Sequence, residues 1–239
     1  VNTSCVGELR IHEAANFVGF KTPALTGDTT YTLPAAYAGS NGMALTSTTG
    51  GVMSWAAAGG GAFTLIETKN ITSSTGTADF ECLSGYCTYF LHIANAVPVA
   101  CGPYAVMQLG CASCCYHESN TDYGWVHYGI HAHPTSSPIH TAFLGSTCST
   151  ETSWIVLYRR GVGGDTGEGF SGNIWISSRA CQRPRIHGTF AATSYLAEAS
   201  GGIVVGEYRS VITMDRVRFK FHSNSIESGR LSMYGVSHA

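Results

Sequence analysis

The sequence has 239 residues, of which 44% are hydrophobic and only 12% are charged, and its formal net charge is −2 at pH 7. That charge excludes a strongly basic surface, so nucleic acid is not an expected partner. The charged fraction is about half of the roughly 25% usual in soluble domains, which suggests that part of the surface is buried between subunits. No apolar run approaches the ~20 residues of a membrane-spanning helix, so no membrane span is expected. The sequence opens on Val1 without a signal-peptide pattern, and a longer N-terminal part remains an open alternative.

Residues 1–61 form one compositional unit of short strand-like runs separated by Gly, Pro, Asn and Asp. Polar and apolar alternation predicts strands at 8–12, 17–21 and 31–33, and the ranges 43–46 and 52–55 predict a hairpin around a Gly-Gly turn. No run is long enough to fold a core alone, so this unit needs copies of itself or another domain. Small residues at its end predict a linker, and we interpret the unit as a trimerising attachment stem.

Residues 62–239 predict a separate domain that consists of β-strands. The predicted strands span 63–69, 77–82, 86–94, 104–109, 125–133, 141–144, 154–158, 170–177, 185–192, 202–212, 216–221 and 228–236. Their regular spacing, without a sustained helical period, favours an all-β fold of the jelly-roll-like β-sandwich type. One short helix is expected at 192–199.

Several segments of the chain resemble a recurring pattern of tailed-bacteriophage fibre and virion-surface proteins. In the first unit they are Gly-Glu-Leu-Arg-Ile at 7–11, Val-Gly-Phe-Lys-Thr-Pro at 18–23, Tyr-Thr-Leu-Pro-Ala at 31–35 and the hairpin at 42–55. In the second they are Gly-Phe-Ser-Gly-Asn-Ile at 169–174, Asp-Arg-Val-Arg-Phe at 215–219 and the closing run 226–235. The resemblance spans nearly the whole chain. It implies a structural protein of the virion, usually a homotrimer, with the N-terminal segment near the attachment end.

Nine cysteines depart from that family pattern. They are Cys5, Cys82, Cys87, Cys101, Cys111, Cys114, Cys115, Cys148 and Cys181. This content favours disulfides and an oxidising environment, and the odd number leaves one thiol free or paired between chains. The alternative is free buried cysteines that pack as small hydrophobes. Cys5, apart from the others, is the best candidate for a bond to a neighbouring chain or to a partner protein.

The cysteine spacings allow two local interpretations. The run from Cys111 to Cys115 contains a Cys-x-x-Cys, but a zinc site needs a second pair and the sequence has none. A redox motif would need a thioredoxin-like βαβ setting, which is also missing. Cys82 and Cys87 are close enough in sequence for a local disulfide. Structural disulfides are therefore the favoured interpretation, and their connectivity stays open.

The histidine-rich stretch 127–133 raises the question of a metal site. His131 and His133 lie two residues apart in a predicted strand, so their side chains share a face and could hold an ion. The motif occurs once and has no obvious carboxylate to complete a ligand shell. We therefore expect ordinary surface or interface histidines and no metal or other cofactor.

No catalytic motif is apparent in the sequence. The Gly-x-Ser-x-Gly elbow and the phosphate-binding Gly-Lys-Ser/Thr loop are both missing. Asp165 and Glu168 are the only acids that suggest a glycosidase pair, and their Gly-rich surroundings are more typical of a mobile turn. The chain is therefore expected not to be an enzyme.

Aromatic residues near a polar loop provide an alternative function. Tyr116, Tyr123 and Trp125 flank the range 118–122 and are expected to be exposed, where they would contact a glycan or receptor on the host. Trp154 and Trp175, within apolar strands, are expected in the core.

Taken together, the sequence predicts a structural protein on the exterior of a bacteriophage particle. We expect a homotrimeric fibre of the tail, collar or head, reinforced by disulfides and in contact with other virion proteins. The alternatives are a host-receptor or carbohydrate-binding fibre tip and a capsid decoration protein.

Overall fold

A computed structural model describes residues 8–13, 16–21, 30–57, 62–112, 115–132, 140–147, 153–180 and 182–237. Within these ranges the regular structure is entirely β-strand, and no helix occurs. The predicted all-β class is thus confirmed. The chain divides into two compact units, Val1–Gly60 and Gly61–Ala239, and the division falls in the small-residue segment between the strands of the two units.

The first unit contains two antiparallel hairpins. The first pairs β1 (Glu8–Glu13) with β2 (Asn16–Lys21), and the second pairs β3 (Met43–Ser47) with β4 (Met53–Ala57). The expected strand at 31–33 is wrong, because only Thr32 pairs there, as an isolated parallel bridge to Val52. Pro34 has no N–H to donate and ends any further pairing.

Among its described residues, the second unit contains thirteen strands in two sheets. They are β5 (Phe63–Ile71), β6 (Ala78–Phe80), β7 (Thr88–Pro98), β8 (Ala105–Cys111), β9 (Cys115–Tyr116), β10 (Tyr123–Ala132), β11 (His140–Thr147), β12 (Ile155–Tyr158), β13 (Gly169–Ser177), β14 (Arg185–Thr193), β15 (Ala199–Tyr208), β16 (Arg216–Phe221) and β17 (Ile226–Val236). The larger sheet has the order β11-β10-β15-β14-β13-β7-β17-β5. The smaller has the order β12-β8-β16-β6, with β9 paired to β8. Jelly-roll connectivity stays a prediction.

The two sheets pack face to face on one hydrophobic core. Strand β16 alternates half-buried Arg and Lys residues with buried Val217, Phe219 and Phe221, as a half-covered strand should. The rings of Phe219 and Phe170 stack across the sheets, with centroids 5.9 Å apart. Burial of such side chains stabilises the fold by about 1.5–3 kcal/mol each.

The helix expected at 192–199 is wrong, because this range is the turn between β14 and β15. The Ser194 hydroxyl accepts hydrogen bonds from the backbone N–H groups of Leu196 (3.2 Å) and Glu198 (3.3 Å). The Ser194 N–H also donates to the Glu198 carbonyl at 2.9 Å. A serine that satisfies the backbone in this way favours a turn over a helix interior.

Candidate functional site

The second hairpin of the first unit has no core of its own. Between residues 30 and 56, Gly51 is the only buried residue. Six large apolar side chains of this range are exposed, while Met43 and Met53 are half-buried; the exposed ones are Tyr31, Leu33, Tyr37, Leu45, Val52 and Trp55. Tyr37 is 98% exposed. Contiguous exposed apolar groups are typical of interaction surfaces.

Backbone hydrogen bonds define the shape of this hairpin. Thr32 N–H donates to the Gly51 carbonyl at 3.0 Å, and the indole of Trp55 donates to the Ala36 carbonyl at 2.8 Å. Gly51 has a φ of 82°, and a Cβ there would lie 2.3 Å from the Thr30 carbonyl oxygen, so the turn requires glycine. Isolated two-stranded hairpins are marginally stable in water, so these bonds need support from packing.

A second exposed apolar surface crosses the larger sheet of the second unit. Successive cross-strand partners on its outward side form one row, which we call the outer row. It consists of Val126, Val205, His187, Trp175, Phe90, Tyr234 and Leu65. Direct partners in antiparallel strands share a face, so the row lies on one side of the sheet. None of its members is buried.

One end of the outer row is aromatic. Phe63, at the start of β5, contacts three rings, and we call these four residues the aromatic cluster. Its ring centroid lies 5.5 Å from Phe90, 5.6 Å from Trp175 and 6.3 Å from Tyr234. The expected core position of Trp175 is therefore wrong, because the alternation of β13 turns Ile174 and Ile176 inward and Trp175 outward.

The other end of the outer row borders an apolar groove of about 680 Å³ on β10 and β15. Its walls include Tyr128, Ile130 and Ile203, all exposed, and we call it the glycine groove. Gly201 and Gly202 also line it. Gly201, the cross-strand partner of Ile130, is on the outward face, and its missing side chain leaves the groove open beside Ile130 and Ile203.

Two of the three predicted glycan contacts are wrong. Tyr123 is 0% exposed and Trp125 is 5% exposed, because both belong to the inward-facing set of β10. The Tyr123 hydroxyl donates to the Leu109 carbonyl at 3.0 Å and accepts from the Leu109 N–H at 2.9 Å. Burial raises the pKa of Tyr123, so it stays neutral and hydrogen-bonded to β8.

The third predicted contact, Tyr116, is half-buried beneath an arginine. The Arg218 guanidinium carbon lies 3.8 Å from the centre of the Tyr116 ring, a cation–π geometry. Arg218 also donates to both carboxylate oxygens of Asp79, at 2.8 and 2.7 Å, and this hydrogen bonding raises its pKa. The arginine covers one face of the ring, so that face is closed to a stacked sugar.

The described cysteines fall into two groups. Cys82, Cys87, Cys101 and Cys115 are exposed free thiols in the single chain, whereas Cys111 is buried and disulfide-bonded. The local bond between Cys82 and Cys87 is therefore wrong. Cys82 adopts a φ of 57°, and buried Leu83 follows it, so core packing shapes this turn. Cys5, Cys114, Cys148 and Cys181 lie outside the described residues.

The histidines of β10 point into the sandwich. His127 and His131 are buried on the same side as Trp125, while His133 lies outside the described residues. The rings of Trp125 and His127 stack with centroids 5.4 Å apart. Burial, with a smaller contribution from the Arg159 charge, lowers the pKa of His127 to about 4. His127 is thus neutral at pH 7. The expected surface or interface position of His131 is wrong, because its place in β10 turns it inward.

Asp165 and Glu168 are brought together with Cys101. Their ligating atoms lie within 4.8 Å of one another, a spacing that a metal ion can bridge. Glu168 accepts a hydrogen bond from the Asp165 N–H at 3.0 Å, and the Cys101 sulfur accepts one from Gly164 at 3.2 Å. Cys101 and Asp165 are exposed. These hydrogen bonds join Asp165 to Glu168 within the loop and Gly164 of the loop to Cys101. We therefore interpret the group as a cluster that stabilises the loop.

The outer row is not among the features predicted from the sequence, although one signal for it is present in β10. In β10 both alternating sets are largely apolar: Tyr123 and Trp125 face inward, while Val126, Tyr128 and Ile130 face outward. A strand with one solvated face normally alternates apolar and polar residues. The apolar residues of its second set are the sequence signal for the outer row.

None of the described residues forms a helix that is long and apolar enough to cross a membrane. No protein-family model matches the chain, and comparison with curated proteins finds no match.

Proposed function

We propose that this chain is a non-enzymatic structural protein of a bacteriophage virion, a homotrimeric fibre of the tail, collar or head that is reinforced by disulfides. The observation that carries the proposal is the coreless hairpin region at residues 30–56, whose apolar side chains are exposed in the single chain. In a trimer, the same side chains of three copies cover one another. The first unit then acts as the stem, and the sandwich is the globular part on the exterior of the particle.

The physical chemistry of the stem supports assembly. Six large apolar side chains are exposed there, and covering a large apolar side chain contributes about 1.5–3 kcal/mol. These side chains are between 36% and 98% exposed, so their sum over three chains is on the order of 15–30 kcal/mol. A trimer needs two association steps at an estimated cost of about 4–15 kcal/mol each, which a gain of this size can offset. The resemblance to phage fibre segments, which includes the β3–β4 hairpin, points to the same arrangement.

The alternatives differ in what the sandwich does. A receptor-binding tip would use exposed aromatics, but Tyr123 and Trp125 are buried and Tyr116 lies under Arg218. A capsid decoration protein requires the same trimer and differs only in its place on the particle. We therefore keep the fibre as the favoured function.

The experiment that tests this function locates the protein on intact particles. Density-purified particles are analysed by mass spectrometry and labelled with gold-conjugated antibodies raised against the chain. We expect the chain in the purified particles and gold on a fibrous appendage of the tail, collar or head. Gold spread evenly over the capsid would support the decoration protein instead. Absence of the chain from purified particles would overturn a virion role.

A further inference from the structure

We propose that the outward face of the larger sheet is the contact between sandwich domains of neighbouring copies, with the aromatic cluster of one copy seated in the glycine groove of the next. This inference rests on the proposed homotrimer and adds which surfaces meet. The occupant of the face is therefore a second copy of this chain.

The size of the face fits such a contact. From the exposed fractions of their side chains, the groove end presents roughly 400 Å² of apolar surface and the aromatic end roughly 300 Å², comparable to the functional patches of other proteins. One junction would therefore bury roughly 700 Å² of apolar surface. Interfaces are about 57% apolar, so this implies about 1,200 Å² in total, the lower end of the range for stable complexes.

The shapes of the two ends are complementary. Phe63 and Leu65 stand out from the edge strand and remain exposed, at 43% and 55%. At the other end, Gly201 leaves the groove open beside Ile130 and Ile203. A partly exposed aromatic cluster and an apolar groove form a heterologous pair, in which two different surfaces meet. Heterologous contacts generate closed rings when the rotation between copies closes.

The position of the two ends also suits three copies. The glycine groove lies on β10 and β15, and the aromatic cluster lies on β13, β7, β17 and β5, with β14 between them. Strands are spaced ≈ 4.8 Å apart, so the centres of the two ends, four strand spacings apart, are about 20 Å from each other on one face. Three such faces turned toward a common axis bring the groove end of each against the aromatic end of the next.

The charges on the face permit this contact. The outer row contains no Lys, Arg, Asp or Glu, and His187 is its only ionisable residue besides Tyr234. Beside the row, Arg183 and Arg185 each lie 3.7 Å from the one carboxylate of Glu207, which offsets one of the two positive charges. Two copies can meet along the row itself without burying a Lys, Arg, Asp or Glu of the row, which would oppose association.

Photo-cross-linking in the full chain tests the contact. We would replace Tyr128 with the photoreactive residue p-benzoylphenylalanine and, as the matched control, replace Tyr195 in the β14–β15 turn. The two tyrosines are similarly exposed, at 46% and 50%, but Tyr195 is outside the strands of the face. After irradiation, denaturing gels and mass spectrometry identify the linked peptides. We expect inter-chain bands from position 128 only, joined to the peptide around Phe63 or Tyr234.

A charge substitution provides a second readout. Ile203→Lys places a charge in the groove, and Val211→Lys places one at a position outside the sheet. The two native side chains are similarly exposed, Ile203 at 53% and Val211 at 59%. We expect Ile203→Lys to lower the inter-chain cross-link yield from position 128 at least tenfold, and Val211→Lys to leave it within twofold. Unchanged circular dichroism verifies that both variants fold.

The outcomes separate this inference from the proposed function. The contact is wrong and the trimer stands if the unmodified chain is trimeric but position 128 cross-links only within its own chain. The same holds if positions 128 and 195 give inter-chain cross-links in equal yield. Links from position 128 to the first unit of the same chain would also overturn it. If the chain is monomeric and no inter-chain link forms, both the contact and the trimer are wrong. Binding of glycans by the face with no inter-chain link would likewise overturn it.

Discussion

Protonation of His127 is expected to destabilise the fold in acid. The ring is 1% exposed and stacks on Trp125, and its pKa is lowered to about 4 from an ordinary value of 6.5. Between these two pH values the unfolded chain binds a proton that the folded chain does not. The free energy of unfolding therefore falls as the pH drops from 6.5 to 4. At about 1.36 kcal/mol per pKa unit, this side chain accounts for at most about 3 kcal/mol.

Replacing the ring with a group that does not titrate isolates this contribution. We would measure urea unfolding of the wild type and of His127→Gln at pH 7, 5.5 and 4, at one fixed protein concentration. Burial also lowers the pKa of His117 and His222, so both proteins should lose stability in acid, but the variant should lose up to about 3 kcal/mol less. Equal losses in the two proteins would refute a neutral, buried His127.

Three further substitutions test other parts of the structure. A Cβ on Gly188 would lie 2.2 Å from the Asn173 carbonyl oxygen, so Gly188→Ala should lower the free energy of unfolding by about 1–3 kcal/mol. Gly76 has open space around it, so the control Gly76→Ala should change this free energy by less than about 0.5 kcal/mol. Equal effects of the two substitutions in urea titration would contradict this packing. Glu198 is buried and accepts two hydrogen bonds from Arg160, at 2.5 and 3.1 Å. Glu198→Ala should therefore lower the free energy of unfolding by about 1–3 kcal/mol in the same assay. A decrease below about 0.5 kcal/mol would contradict a stabilising pair. Non-reducing gels of boiled protein should show a covalent multimer that Cys5→Ser removes, and a monomer band in the wild type would exclude inter-chain disulfides.

The strands of this protein were largely predictable from the sequence, because period-two alternation is a local signal. Strand β16 is the clearest example, since its Arg and Lys residues alternate with Val217, Phe219 and Phe221. The hairpin of β3 and β4 followed from its Gly-Gly turn for the same reason. The turn at Ser194 was mistaken for a helix, because one serine hydroxyl decides its conformation and no periodicity reports that bond.

The direction in which each strand faces was harder to predict. Tyr123 and Trp125 were expected in solvent because a polar loop precedes them, yet the sandwich buries their side of β10. Trp175 was expected in the core because its strand is apolar, yet it faces outward. When both faces of a strand are apolar, alternation alone does not assign the core side. That assignment requires knowing which strands lie opposite, and the outer row becomes visible only from the register of seven strands.

The most direct test of the account is the mass of the full chain in solution under native conditions. Sedimentation equilibrium, with native mass spectrometry as a second measurement, gives this mass without a standard of assumed shape. The subunit mass is 25.3 kDa, so a homotrimer has three times that mass, about 76 kDa. We predict a single species of about 76 kDa at micromolar concentration. A species of 25.3 kDa would mean that the exposed side chains of the stem are not covered by other copies, and would contradict the account.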